Sequence, residues 1–270
     1  MFVKAAGLVS LLILMNTTAM AMQNSSVAMI LRKADSPIDV SALLANVKKT
    51  LSAEITGNVL QKDGSIVFDV GPDRFVVSEM PAPVPKAEID AALTNSMLCR
   101  DKQLVATEQK AHVIVGITTK DKTVIANRLL LTKLCEAVLK TVDSIGVYWG
   151  ASSQVIDSKV FVEFAKEATD KQLPMAIWMS LTVETDPNDK TSFYSNGLED
   201  LGYTEVEVIN LKMPIVDAYY FLLDFMNYVI VSGDNIRDGD TIGRNAEEKL
   251  KVRYLPSELT DRRRVMRIEM

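Results

Sequence analysis

Val59–Met80 reads VLQKDGSIVFDVGPDRFVVSEM, and its punctuation decides what kind of fold follows. Lys62-Asp63-Gly64 carries the Asp-Gly pair of a tight hairpin between Val59-Leu60 and Ser65–Val70. Gly71-Pro72-Asp73 turns the chain again into Arg74–Met80, so the segment predicts a meander. On its N-terminal side, Val40–Leu51 places Leu43, Leu44, Val47 and Leu51 on one helical stripe, with Asp39 or Ser41 positioned to cap it. Val27–Leu31 before it is a short apolar strand. On the C-terminal side, the three prolines of Met80–Pro85 lack amide donors and fix φ, which excludes a helix interior or a central strand. They deliver the chain to a helix over Lys86–Leu98, after which Ala111–Thr118 (AHVIVGIT) reads as a buried strand. The predicted order for this half is β-α-β-β-α-β, the ferredoxin-like arrangement.

The second half continues the alternation. Thr123–Val142 is the longest clear helix in the pattern, and Ser144–Gly150 a strand. Asp157 or Ser158 can cap a helix through Val160, Phe161, Phe164 and Ala168. Leu173–Thr185 (LPMAIWMSLTVET) predicts a long strand with Thr191–Ser195 as its hairpin partner, and Val206–Ile209 another strand. Pro214 opens a helix that buries Ile215, Ala218, Tyr219, Leu222, Met226 and Val229. A loop over Gly233–Gly243 and short strands near Val252 and Val265 complete an α+β fold of mixed or antiparallel sheets with helices packed on them. No linker rich in Gly, Ser or Pro divides the chain. The expectation is one α+β domain over residues 22–270, with two related lobes, about 26–120 and 121–270, as its finer subdivision.

Residues 1–21 read as a secretory signal peptide. Lys4 gives a positive n-region, Ala5–Met15 (AAGLVSLLILM) an apolar stretch too short for the roughly 20 residues of a bilayer span, and Ala19 and Ala21 a small-x-small cleavage site before Met22. The expected location is periplasmic or secreted. The alternatives are an uncleaved membrane anchor, or a cytoplasmic protein whose start codon is misassigned upstream of Met22 or Met29. No later stretch suggests a stable membrane span, since the most apolar run, Ala218–Val231, is broken by Asp224 and Asn227.

The formal net charge is −5, which argues against non-specific attraction to nucleic acid and points to proteins or small solutes as partners. Arg262-Arg263-Arg264 is read as a solvated turn into the last strand. Two cysteines, Cys99 and Cys135, permit one disulfide in an oxidising compartment; Cys135 also falls on the apolar stripe Leu131, Leu134, Val138, where a buried thiol is the competing reading.

Met80–Pro85, Gly146-Val147-Tyr148-Trp149-Gly150 and the run Arg237-Asp238-Gly239-Asp240-Thr241-Ile242-Gly243, followed by Ala246–Lys249, together resemble the bacterial domain-of-unknown-function family 4261 (DUF4261-like). The resemblance extends over about residues 26–270. It implies an α+β domain and no activity, cofactor or catalytic residue.

Chemical motifs are sparse. His112, the single histidine, sits inside an apolar strand and is expected to be structural, which leaves no conventional catalytic triad or His-rich metal site. There is no Gly-x-Ser-x-Gly elbow and no Cys-x-x-Cys pair. The candidate functional loop is Asp234–Gly243, where Asp234, Asp238 and Asp240 with Arg237 and nearby Arg244 could meet a cation, a phosphate or one another. Set against an EF-hand, Ile236 and Asn245 occupy the third and twelfth positions, so the ligand set fails and a structural turn is expected. Glu79, Glu88, Asp90, Glu199 and Asp200 are further carboxylates that an acid-base site could draw on. Trp149 is a candidate interface anchor if it lies at the surface. No cofactor, metal or catalytic residue is assigned. The functional expectation is an exported, non-enzymatic protein that binds another protein, an immunity protein being one version. The alternatives are a periplasmic hydrolase using carboxylates or a divalent ion, and a small-solute binder.

Overall fold

In the computed structural model, which describes residues 25–270, the meander is built as its turns require. The leader expected over residues 1–21 lies outside the described residues. Asp63 and Gly64 both adopt left-handed φ, +50° and +74°, and join β2 (Thr56–Lys62) to β3 (Ser65–Val70) with Lys62 opposite Ser65. Asp-Gly tolerates two successive positive φ values, and the mirror-image turn matches the twist of the strands it joins. Gly71, at φ +59°, then turns the chain into β4 (Asp73–Met80) with Val70 opposite Asp73. Described residues thus form two mostly antiparallel sheets and seven helices, an α+β fold.

The chain divides into two interleaved compact units. The first holds the described residues up to Pro83 together with Lys110–Ser144; the second holds Val84–Gln109 and Ile145–Met270. The subdivision therefore does not fall near residue 120, because the stretch Val84–Gln109 belongs with the later part of the chain.

In the first unit the strands run β2-β3-β4-β5-β1, with β5 (Ala111–Thr118) between β4 and β1 (Ser25–Arg32) and antiparallel to both. Seven of the eight β5 residues are buried, as the apolar run predicts. Phe68 of β3 stacks on Phe75 of β4 at 5.5 Å between ring centroids. Helix α1 (Val40–Leu51) starts where the Asp39 carboxylate accepts the Ala42 amide at 3.0 Å, and it buries Leu43 and Val47. Helix α4 (Val124–Leu139) starts where the Thr123 hydroxyl accepts the Ala126 amide at 3.2 Å, and it packs on α1, β1 and β5. The ferredoxin-like order is not recovered. Three consecutive strands stand where that pattern has two, and helices α2 (Lys86–Thr94) and α3 (Lys102–Glu108) belong to the other unit.

The second unit has a hairpin, β6 (Gly146–Trp149) with β7 (Gln154–Ile156), and a sheet in the order β11-β12-β13-β10-β9-β8. Its strands are β8 (Ser180–Thr185), β9 (Thr191–Asn196), β10 (Val206–Val208), β11 (Thr241–Ile242), β12 (Leu250–Leu255) and β13 (Val265–Ile268); only β10 and β13 pair in parallel. Asp157 caps α5 (Ser158–Glu167) through its carboxylate.

Two expectations are corrected here. Leu173–Thr185 is not one strand: Met175–Trp178 forms a short helix, α6, begun by Pro174, and β8 starts only at Ser180. All four α6 side chains are buried, so an unbroken apolar run carried no period to separate strand from helix. The Gln154 side-chain amide, itself buried, donates to the carbonyl of Ile177 at 2.9 Å and fixes the turn. Among the described residues the longest helix is α7 (Ile215–Ser232), not the one near residue 130. With a mean hydropathy of 1.3 over its span it is also, by length and composition alone, apolar enough to cross a membrane. Here Ala218, Tyr219, Leu222, Met226 and Val229 of its inward stripe are buried in the protein core as their spacing predicts, whereas Ile215, expected with them, is only half-buried.

Candidate functional site

The loop after α7 is organised by its own aspartates. Gly233 ends the helix in the left-handed conformation, φ +72°, and the Asp240 carboxylate accepts the Arg237 amide at 2.7 Å while the Asp240 amide donates to the Arg237 carbonyl. Gly239 occupies the left-handed region at φ +89°, as a tight turn demands. Asp238 Oδ1 accepts the Tyr254 amide at 2.8 Å and Arg253 Nε at 3.2 Å, which fastens the loop to β12. That backbone bond first, then Arg253, holds the Asp238 carboxyl below its ordinary range. Arg244 pairs with Glu248 through its backbone amide and its guanidinium, and these bonds pull the Glu248 carboxyl down to about 2. A Cβ on Gly243 would collide with the Glu248 carbonyl, so the backbone approach there requires glycine. Among the described residues no three of His, Cys, Asp and Glu converge to hold a metal ion. The aspartate bonds and the left-handed Gly239 shape the loop into a tight turn.

What that turn builds is a groove along α7. Two adjoining hollows, of about 510 and 600 Å³, share Phe225, Tyr228 and Gly243, with the helix on one side and the loop on the other. Phe221 and Phe225 form the floor, their rings stacked 6.0 Å apart and within 6° of parallel. Tyr220 and Tyr228 stand above them, 61% and 57% exposed, on the same outward face as Asp217 and Asp224. Positions 217, 220, 224 and 228 follow the three-to-four residue step that aligns side chains along a helix. Tyr228 Oη donates to the Asp234 carboxylate, a bond that raises the phenol above its usual range. The Asp224 carboxylate makes no ion pair or hydrogen bond among the described residues. Val216 and Val231, 51% and 42% exposed, extend the apolar face toward the two helix ends.

The remaining candidates fall elsewhere. Trp149 is 1% exposed and packs at 6.0 Å from Phe161, so it is core and not an interface anchor. Cys99 and Cys135 are both free and buried; no disulfide joins them, and burial pushes each thiol up. His112 Nδ1 lies 2.7 Å from the Ala82 carbonyl, within the buried strand β5. Glu79 accepts the Ile38 amide, Asp90 pairs with Lys86, and Glu199 pairs with Arg262 at 3.5 Å. Glu79 belongs to the first unit, whereas Glu88, Asp90, Glu199, Asp200, Asp238 and Asp240 belong to the second. Sequence reasoning missed Asp217, Tyr220, Asp224 and Tyr228. The available signal was the helical wheel of α7, whose buried stripe leaves these four on the opposite side.

Residues 194–269 match a family model described as Domain of unknown function (DUF4261). The DUF4261 match runs from β9 through β13, so it contains α7, the loop and both hollows, together with the Arg237–Gly243 and Ala246–Lys249 motifs. The Met80–Pro85 and Gly146–Gly150 motifs lie outside the matched residues. No curated protein and no solved structure matches the chain.

Proposed function

We propose that the chain is an exported, non-enzymatic protein that acts by binding another protein, in the manner of an immunity protein set against a toxin delivered to the cell envelope. The observation that carries this reading is the outer face of α7, where two tyrosines are more than half exposed over a floor of stacked phenylalanines. Tyrosine supplies a large rigid contact area with a polar tip, and such residues are enriched where proteins meet. The leader-like residues 1–21 support an envelope location, and the net charge of −5 suits a basic partner. A hydrolase would draw on the loop carboxylates, yet Asp238 and Asp240 already accept backbone amides that shape the turn.

The test is affinity purification from envelope extracts with the wild-type chain and with a Tyr220→Ser/Tyr228→Ser variant of unchanged circular dichroism. The expected result is one dominant partner held by the wild type and lost by the variant. Equal capture by both chains would remove α7 from the reading. Turnover of an envelope substrate, abolished by neutralising Glu79, Asp238 or Asp240 in a folded protein, would replace binding with catalysis.

A further inference from the structure

We propose that the α7 groove receives an arginine or lysine side chain from a basic segment of the partner protein, seated between Tyr220 and Tyr228 and against Asp217 and Asp224. The inference rests on the protein-binding reading above and deepens it by naming the partner's chemistry. Charge is the first argument. Among the described residues the Asp224 carboxylate has no ion pair, and Asp217 lies on the same outward face, so two carboxylates border the groove. Of the two cations on the rim, Arg244 is neutralised by Glu248 through backbone and side-chain bonds, which leaves Lys249 against the three carboxylates of Asp217, Asp224 and Asp234. The groove is therefore acidic after its internal pairing is complete. The second argument is the aromatic lining. A guanidinium or ammonium group is attracted to the face of a tyrosine ring, and more strongly when a partner's surface excludes water from the contact. Tyr228 is held in place by its bond to Asp234, which adds a third carboxylate beside the ring.

The same features disfavour the other occupants of an exposed apolar helix. An anionic lipid surface repels Asp217 and Asp224, and a second copy of the chain would bring two such acidic faces together. An apolar segment without charge would cover the tyrosines while burying both carboxylates unpaired, which is costly.

The test uses the full chain and a short synthetic peptide alternating arginine and leucine, with a counterpart in which citrulline replaces every arginine. Citrulline keeps the shape and removes the charge. Amide chemical shifts are followed during titration. The expected result is saturable shifts at α7 and at Gly243, weakening about tenfold or more with the citrulline peptide and by a similar factor in Asp217→Asn/Asp224→Asn, a change at exposed positions that leaves the fold intact. Equal binding of both peptides at α7 would overturn the cation-seating inference and leave the protein-binding reading standing. Shifts away from α7, or none, would also overturn it, and capture of the envelope partner by Asp217→Asn/Asp224→Asn at wild-type strength would do so independently. Binding of phosphatidylglycerol vesicles that is lost in Tyr220→Ser/Tyr228→Ser would put a membrane in place of the partner. Concentration-dependent dimers with shifts at α7 would put a second copy there.

Discussion

His112 shows how one buried side chain sets a pH dependence. Its Nδ1 donates to the Ala82 carbonyl, and burial lowers its pKa from the ordinary 6.5 despite that bond, which acts the other way. Below about pH 6.5 the unfolded chain takes up a proton that the native ring resists, so stability falls as pH drops from there toward the depressed native value. Above that window the contribution is complete. Urea titrations between pH 7 and 5 should show the loss, and His112→Gln, which keeps an amide donor for Ala82, should flatten it. An unchanged slope in that variant would remove His112 as the cause. Glu205 has the opposite sign. Desolvation raises its carboxyl above 4.5, although the Ser195 hydroxyl and the Glu199 and Gly197 amides all donate to it and pull the other way. The native chain then binds its proton more tightly, so this contribution is present below pH 4.5 and is lost as pH rises through the raised value. Glu205→Gln should abolish that slope at small cost in stability. Glu205→Ala leaves three donors without a buried acceptor and should cost about 3 kcal/mol or more by chemical denaturation.

At the scale of the element, legibility follows the range of the interaction that decides each feature. The Asp63-Gly64 turn and the caps Asp39, Thr123 and Asp157 are set by bonds spanning two or three residues, and each could be read or bracketed from adjacent letters. The place of β5 between β4 and β1 depends on pairing between distant segments, which the pattern of one segment does not encode. The candidate site divides in the same way. The turn Arg237–Gly243 was legible because glycine and aspartate chemistry is local, whereas the groove exists only once that turn lies against the outward face of α7. Two consequences can be measured. Calorimetric titration with calcium or magnesium should give no saturable binding tighter than about millimolar, since Asp238 and Asp240 are engaged by backbone amides; binding lost in Asp238→Asn would replace the turn with a metal site. Gly243→Ala should cost about 1 to 3 kcal/mol, because its new methyl meets the rigid Glu248 carbonyl and the strand β11 must shift. Asp224→Asn, on the open side of the groove, should change stability by less than about 0.5 kcal/mol.

For the whole molecule, location and thiol chemistry are linked. Export would carry Cys99 and Cys135 into an oxidising compartment, where exposed thiols pair or are modified. Both are buried and free, Cys135 within the helix α4 of the first unit and Cys99 in the second, and burial pushes both thiols up, away from the reactive thiolate. An exported chain folded in this way should therefore keep two reduced cysteines. Intact-mass analysis of periplasmic material should show Met22 as the new N-terminus and a mass without the two-hydrogen deficit of a disulfide. Iodoacetamide should leave the native protein largely unlabelled and add to both cysteines after denaturation. A full-length cytoplasmic species would defeat the proposed location and leave the fold untouched. A processed species carrying a disulfide would keep the location and contradict the free, buried thiols, so the same measurement separates an error about address from an error about packing.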